Sequence, residues 1–383
     1  MFHLLSMIFG AILVFTVLWE TFETIVLPRR VTRQFRLTRY FYQSTWKPWR
    51  SLAGMRSSKK KQDVMLSYYG PLSLLFLLAF WAFTLLLGFA MIHYGAGSEF
   101  RGELYPNRFG NALYLSGTTL FTLGLGDVTP ASPLARFLTV LEAGIGFGFL
   151  ALVIGYLPVL YQSFSRREVT ISLLDARAGS PPTAFEMLRR NAGDDMRFDA
   201  LTDVLREWEK LSADLMETHL SYPVLAYFRS QHDNQSWIAS LTAVLDVCAL
   251  AMVGLEGMCQ YQARMTFAIS RHALVDLSQV FSAAPDLQAS RQRLSPEDLS
   301  YMRHHLSSAG VRLLDGDAAD AELKRIRALY EPYAISLARH LRLELPPWLK
   351  REGTPKDNWQ TTAWQQRQSL SAQEKVAMQD EHF

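Results

Sequence analysis

Residues 118 to 127 read Thr-Thr-Leu-Phe-Thr-Leu-Gly-Leu-Gly-Asp, with threonines at 118, 119 and 122 and glycines at 124 and 126. Gly124 and Gly126 admit positive φ, a region closed to most L-residues. They allow the consecutive carbonyls of Thr122, Leu123, Gly124 and Leu125 to turn to one side. Carbonyl oxygens presented to one side are a chemistry that can replace the water around a cation. Rival chemistry is thin elsewhere. His304 and His305 are adjacent rather than one helical turn apart, which suits shared metal ligation poorly. Cys248 and Cys259 lie in helical patterns of the C-terminal half and signal neither a disulfide framework nor a thiolate site. His219, Tyr222, His232 and Trp237, with Asp233 and Gln235, could line a ligand pocket, but capping and core packing explain them as well. No catalytic constellation has workable spacing, so a non-enzyme without a cofactor is expected.

A membrane fold must position these glycines. Hydrophobic residues make up 49% of the 383, high for a soluble protein, and the long apolar runs crowd into the first 165 positions. A membrane half and an aqueous half follow. Three segments reach the roughly 20 apolar residues that cross a hydrocarbon core of about 30 Å. They are Phe2 to about Leu27, Leu66 to Ile92, which carries no charge, and Leu134 to Phe164, charged only at Arg136 and Glu142. The first lacks the basic start and cleavage site of a secretory signal and is read as a retained anchor.

Arg29, Arg30, Arg33, Arg36, Arg39, Lys47, Arg50, Arg56, Lys59, Lys60 and Lys61 stand between the first two spans against the single acid Asp63. The positive-inside rule makes this loop cytoplasmic, the N-terminus and residues 95–109 external, and the chain from Arg166 and Arg167 onward internal. A multi-pass cell-membrane protein, bacterial inner membrane included, is expected. The basic loop at 29–61 also suits anionic lipids, and Trp46 and Trp49 suggest that part of it lies along the interface. A net charge of +3 without interleaved stacking aromatics excludes an argument for nucleic acid.

Residues 109–131 sit between two spans that both need the outer side, so this segment dips into the membrane and returns. Irregular backbone at that depth is tolerated only where protein buries it or it lines a watery path. A short helix over about 111–121, an extended stretch and a turn at 127–130 satisfy that constraint.

These residues resemble the pore domain of tetrameric potassium channels, whose filter reads Thr-Val-Gly-Tyr-Gly-Asp after a threonine-rich pore helix. Thr122 to Asp127 agrees at four of six positions, Pro130 and a glycine-rich inner helix follow, and the resemblance covers roughly residues 66–165. It implies an all-α membrane protein with outer helix, pore helix, filter and inner helix, joined to an extra N-terminal transmembrane helix. It also implies a homotetramer, since one pore segment supplies a quarter of a ring. K+ would be the permeant ion, coordinated at Thr122, Leu123, Gly124 and Leu125, with Gly126 completing the filter and Thr118, Thr119, Asp127 and Leu115 supporting it.

Two departures from the family matter. Leu125 stands where a tyrosine usually braces the filter, and Leu115 where its tryptophan partner falls, so an apolar contact would replace a hydrogen bond lost from both sides. Thr118 occupies the place of an acid and is expected to reach Asp127 through its hydroxyl. A weakly selective monovalent cation pore is therefore the competitor to a potassium pore. On the inner helix, Gly144, Gly146 and Gly148 are candidates for a gating hinge or for close packing. Glu142, an acid at hydrocarbon depth, is a functional candidate expected to bond a pore helix. Glu20 and Glu23 fit a structural role near the end of the first span.

The expected layout is a transmembrane helix at 1–28, a basic cytoplasmic or interfacial segment at 29–65, a pore domain at 66–165, a helical cytoplasmic domain at 166–345 and a polar, mobile tail at 346–383. Helical spacing of apolar residues recurs over 198–219, 237–258, 262–282, 296–309 and 318–342. Ser295-Pro296-Glu297-Asp298 reads as a helix start and Gly179-Ser180-Pro181-Pro182 as a break. No nucleotide fingerprint identifies the domain's ligand, if it has one. A third possibility, of another class, is a membrane-anchored sensor or effector working through this helical domain. Voltage gating is not expected, since no span repeats arginine every third position.

Overall fold

The computed structural model describes residues 1–27, 37–102, 104–192, 198–231, 234–258, 260–288, 293–350 and 357–360. The fold is all-α and divides into two compact units, Met1–Gln162 and Ser163–Phe383. Arg29, Arg30, Arg33, Arg36, His232, Asp233, Cys259 and Trp364 lie outside the described residues.

In the first unit, α1 (Phe2–Thr21) packs along α4 (Tyr69–Gly95). Glycines permit the approach: a Cβ on Gly10 would strike the Gly88 carbonyl, and one on Gly95 the His3 carbonyl. Ser6 Oγ donates to the Met91 carbonyl across the same seam at 3.1 Å. The N-terminal helix is thus bound along α4. Glu20, fully buried, accepts from the backbone N–H groups of Leu37 and Thr38 at 3.1 and 3.2 Å and from the Thr38 hydroxyl at 2.9 Å. It therefore caps α2 (Leu37–Gly54), where a carboxylate complements the positive helix end. Glu23 takes the Trp19 indole N–H at 2.8 Å. Both acids serve structure.

A short α3 (Lys59–Ser67) leads from α2 into α4. The two tryptophans of α2 have partners within the first unit. Trp46 is buried with its ring 4.7 Å from that of Tyr69, and Trp49 donates to the Met65 carbonyl at 3.0 Å. After α4, the strand β1 (Phe100–Arg101) precedes α5 (Arg108–Leu120), and β1 pairs antiparallel with β2 (Thr129–Pro130) beyond the glycine run. Asn107 caps α5, accepting from Gly110 N at 2.5 Å. α6 (Pro133–Ala178) then runs 46 residues without a break, through Gly144, Gly146 and Gly148 and on into the second unit. It stops at Gly179, whose φ of +83° ends the helix where the Gly-Ser-Pro-Pro run predicts a break.

The second unit contains the end of α6 and α7 (Ala184–Arg190), α8 (Asp199–Ser221), α9 (Trp237–Gly254), α10 (Gln260–Val280), α11 (Pro296–Ser308), α12 (Asp317–Arg327) and α13 (Glu331–Leu341). Thr183, Ser236 and Ser295 cap α7, α9 and α11, the last as its sequence predicts. α9 is buried on all sides, with α7, α8, α10, α12 and α13 around it. Its Asp246 is satisfied by the Tyr330 hydroxyl and Arg293, which also meets Glu331 at 2.9 Å. Arg167, read from sequence as part of a positive-inside signal, is a core residue. Its guanidinium is enclosed by the Leu225 and Phe228 carbonyls at 3.0 and 2.7 Å and by Glu168.

The stretch from Pro346, expected to be mobile, is anchored at its described residues. Trp348 is buried beneath the guanidinium groups of Arg293 and Arg327. Asp357 accepts from Ser180 N at 3.0 Å, from Arg190 at 2.7 Å and from Lys350 at 2.9 Å, and Trp359 N donates to Asp175 at 2.8 Å. Paired charges, invisible in the local composition, hold it down.

Candidate functional site

The glycine run follows directly from the C-terminal end of α5. Helix ends leave carbonyls without intrahelical partners, and here two of them are used. The Thr118 carbonyl accepts from both Leu123 N at 2.7 Å and Gly124 N at 3.2 Å, and the Thr119 carbonyl accepts from Thr122 N at 3.0 Å. The segment is thereby pinned to the negative end of the helix. Thr122, Gly124 and Gly126 then adopt φ of +57°, +57° and +80°, while Leu123 and Leu125 between them do not enter the positive region. Positive φ at every second residue sets this segment apart from an ordinary extended strand, whose residues alternate between two faces. That Thr122, not a glycine, joins the alternation extends it one step beyond what the glycine spacing predicts.

Phe121 to Asp127 are all exposed in the single chain, Leu125 to 64%, and a Cβ on Gly124 or Gly126 would meet nothing within 4 Å. Leu115 is buried, so these two leucines do not cover one another within a chain. Thr118 gives its hydroxyl hydrogen to the Leu115 carbonyl at 3.0 Å instead of reaching Asp127. The bond to Asp127 comes from Tyr114, whose hydroxyl donates at 2.5 Å. Tyr114 lies one turn before Thr118 on the same face, and the longer side chain spans the gap. Asp127 also accepts from Val128 N at 3.0 Å, and its carbonyl lies so close to Gly102 that no side chain fits there. The exit of the run is held by the β1–β2 pair and by Ala131 N donating to the Glu99 carbonyl at 2.8 Å.

Behind the run, α6 meets α5 at two points one turn apart on both helices. A Cβ on Gly146 would run into the Leu120 backbone, whereas Gly144 and Gly148 face open space. Gly146 thus sits in close contact with α5. Glu142, fully buried, accepts from Ser116 Oγ at 3.3 Å and lies 3.6 Å from His93 Nε2 of α4. Sequence singled out Glu142 but neither partner, because nothing local marks residues 26 and 49 positions away as neighbours. Of the possible ligand cluster in the second unit, His219 and Trp237 pack ring against ring at 5.4 Å in the core. His305 stacks on Tyr301 at 3.8 Å.

A family model described as "Ion channel" matches residues 76–162, which contain α5, the glycine run and the first part of α6. Protein LctB of Geobacillus stearothermophilus is 33% identical over 113 residues, covering 27% of this chain and 84% of that protein. The uncharacterized membrane protein YdjJ of Bacillus subtilis is 28% identical over 215 residues, 55% of this chain, and the chain spans 59% of that relative's length. Protein LctB of Bacillus caldotenax is 34% identical over 94 residues, covering 21% and 66%. No solved structure matches. The chain belongs to the ion channel family, on a membrane fold built around the segment from α4 to α6.

Proposed function

We propose that the chain is one subunit of a homotetrameric potassium channel of a cell membrane, conducting through the carbonyls of Thr122, Leu123, Gly124 and Leu125. The observation that carries this reading is the positive φ at Thr122, Gly124 and Gly126, at intervals of two, on a segment pinned to a helix end. Carbonyls so turned form a ladder of oxygens, and four copies about one axis close it into rings that exchange a cation's water for protein oxygen. The open space around Gly124 and Gly126 leaves room for those copies. K+ is cargo here, not a resident cofactor. The N-terminus lies outside, the second unit is cytoplasmic, the basic 29–61 loop contacts anionic lipid, and the second unit, acting through α6 and with or without a bound ligand, gates the pore.

Leu125 favours a second reading. With no hydroxyl to brace the filter, a looser ladder would discriminate poorly between K+ and Na+. Purified protein in bilayers under opposed potassium and sodium gradients separates the two: a reversal potential at the potassium limit supports the first, one near zero the second. Gly124→Ala forces a side chain into φ of +57° and is expected to abolish current; unchanged current would sink the filter assignment. Absence of current from the wild-type protein would favour a membrane-anchored sensor.

A further inference from the structure

We propose that His93 and Glu142 form a proton-operated latch that sets how α6 is held against α5, making Glu142 a positioning residue for the filter. The proposal rests on the pore reading above.

Both side chains are fully buried, with Nε2 to Oε2 at 3.6 Å. Glu142 Oε1 and His93 Nε2 have no hydrogen-bond partner among the described residues. Among the described residues, three polar side chains stand around the pair. From α5 comes Ser116, uncharged, donating to Glu142. From the loop after α4 comes Ser98, whose hydroxyl lies 2.9 Å from His93 Nδ1. Behind Ser98 stands Arg108, whose guanidinium holds the Ser98 carbonyl at 2.9 Å and also binds the Gly97 carbonyl.

An isolated charge in such surroundings is costly, so the pair favours its two states without net charge, carboxylate with imidazolium or carboxylic acid with imidazole. The two states differ only in which side chain carries one shared proton. A second proton, taken from bulk water, leaves an imidazolium beside a neutral acid, a single uncompensated charge in the interior. Parting α6 from α4 and α5 relieves it by admitting water. Histidine is the side chain whose ordinary charge change falls between pH 5 and 8.

The consequence reaches the filter through a short path. Ser116 precedes by two residues Thr118, whose carbonyl holds Leu123 and Gly124. The Glu142–Ser116 contact and the Gly146–Leu120 contact are one turn apart on both helices, so loosening the first lifts the end of α5 that carries the glycine run.

The test uses the full chain in potassium-loaded vesicles between pH 8 and pH 5, both sides equal. Wild-type flux is expected to fall about tenfold, the effect of one pK unit of coupling, while Glu142→Gln and His93→Gln stay flat across the range. Ser116→Ala keeps the pair but cuts its link, so its flux should lose the pH response while its thermal stability keeps it. Thermal unfolding of the solubilised protein, wild type, both single variants and the double, reads the pair without conduction. A His93–Glu142 coupling that changes with pH in protein that passes no ions sinks the pore reading, and with it the filter-positioning role, while leaving the proton-sensitive hold of α6 on α5. Conduction with the same pH response in both single variants overturns the latch and spares the pore. No flux together with a pH-independent coupling overturns both.

Discussion

α6 and α9 are both long and apolar enough to cross a membrane, yet 17% of the apolar window of α6 is buried within the chain against 83% of that of α9. α1 and α4 fall on the side of α6, at 22% and 39%. Apolarity is thus spent in two ways. α9 uses its surface on neighbours in its own unit, where burial contributes about 25 cal/mol per Å². The helices of the first unit leave theirs outward, for lipid or further copies. What tells a span from a core helix is whether the rest of the chain has enough apolar surface to surround it.

The largest expected effect tests that contrast directly. Leu245→Ala, at a fully buried position of α9, should cost about 3 kcal/mol and lower the unfolding temperature of the solubilised protein. Phe147→Ala, at a position of α6 that is 68% exposed in the single chain, should change stability by less than about 0.5 kcal/mol. An equal loss at Phe147 would show that another copy, not lipid, covers this face. Next comes the one crowded glycine of α6: Gly146→Ala pushes on the Leu120 backbone, at about 1–3 kcal/mol, and should suppress ion flux, while Gly144→Ala and Gly148→Ala leave it intact. Equal tolerance at all three would argue that α6 already parts from α5 there.

The smallest effect is a pH response confined to the second unit. Burial and the neighbouring Arg167 hold His219 far below its usual value, so it is neutral when folded. The unfolded chain gains a proton as pH falls through about 6.5, and the stability this residue contributes above that pH is lost below it, by at most about 1.4 kcal/mol per unit. The unfolding temperature of wild type relative to that of His219→Gln should therefore fall from pH 7 to pH 5; a constant difference would place His219 in contact with water.

The glycine run was legible because its chemistry is local: positive φ at 124 and 126 follows from residue type, and the helix before it from the constraint that this segment dips and returns. The long apolar helices α1, α4 and the first part of α6 were legible for the same reason. Long-range pairing was not. Tyr114 and Thr118 are equally placed on α5, and only the distance to Asp127 decides between them. His93 and Glu142 look like unrelated oddities until two helices meet. Nor does anything local mark Tyr69 and the Met65 carbonyl as the partners of Trp46 and Trp49.

The anchoring of Asp357 bears on the order in which the protein can be made. Ser180 N waits for a carboxylate 177 positions further along the chain, and Arg190 and Lys350 converge on the same group. The first unit, complete by Gln162, has every residue it needs long before then. During synthesis its helices can be seated while the second unit still lacks a fastening, so a ribosome stalled before Asp357 would leave a finished membrane half attached to an unclosed one.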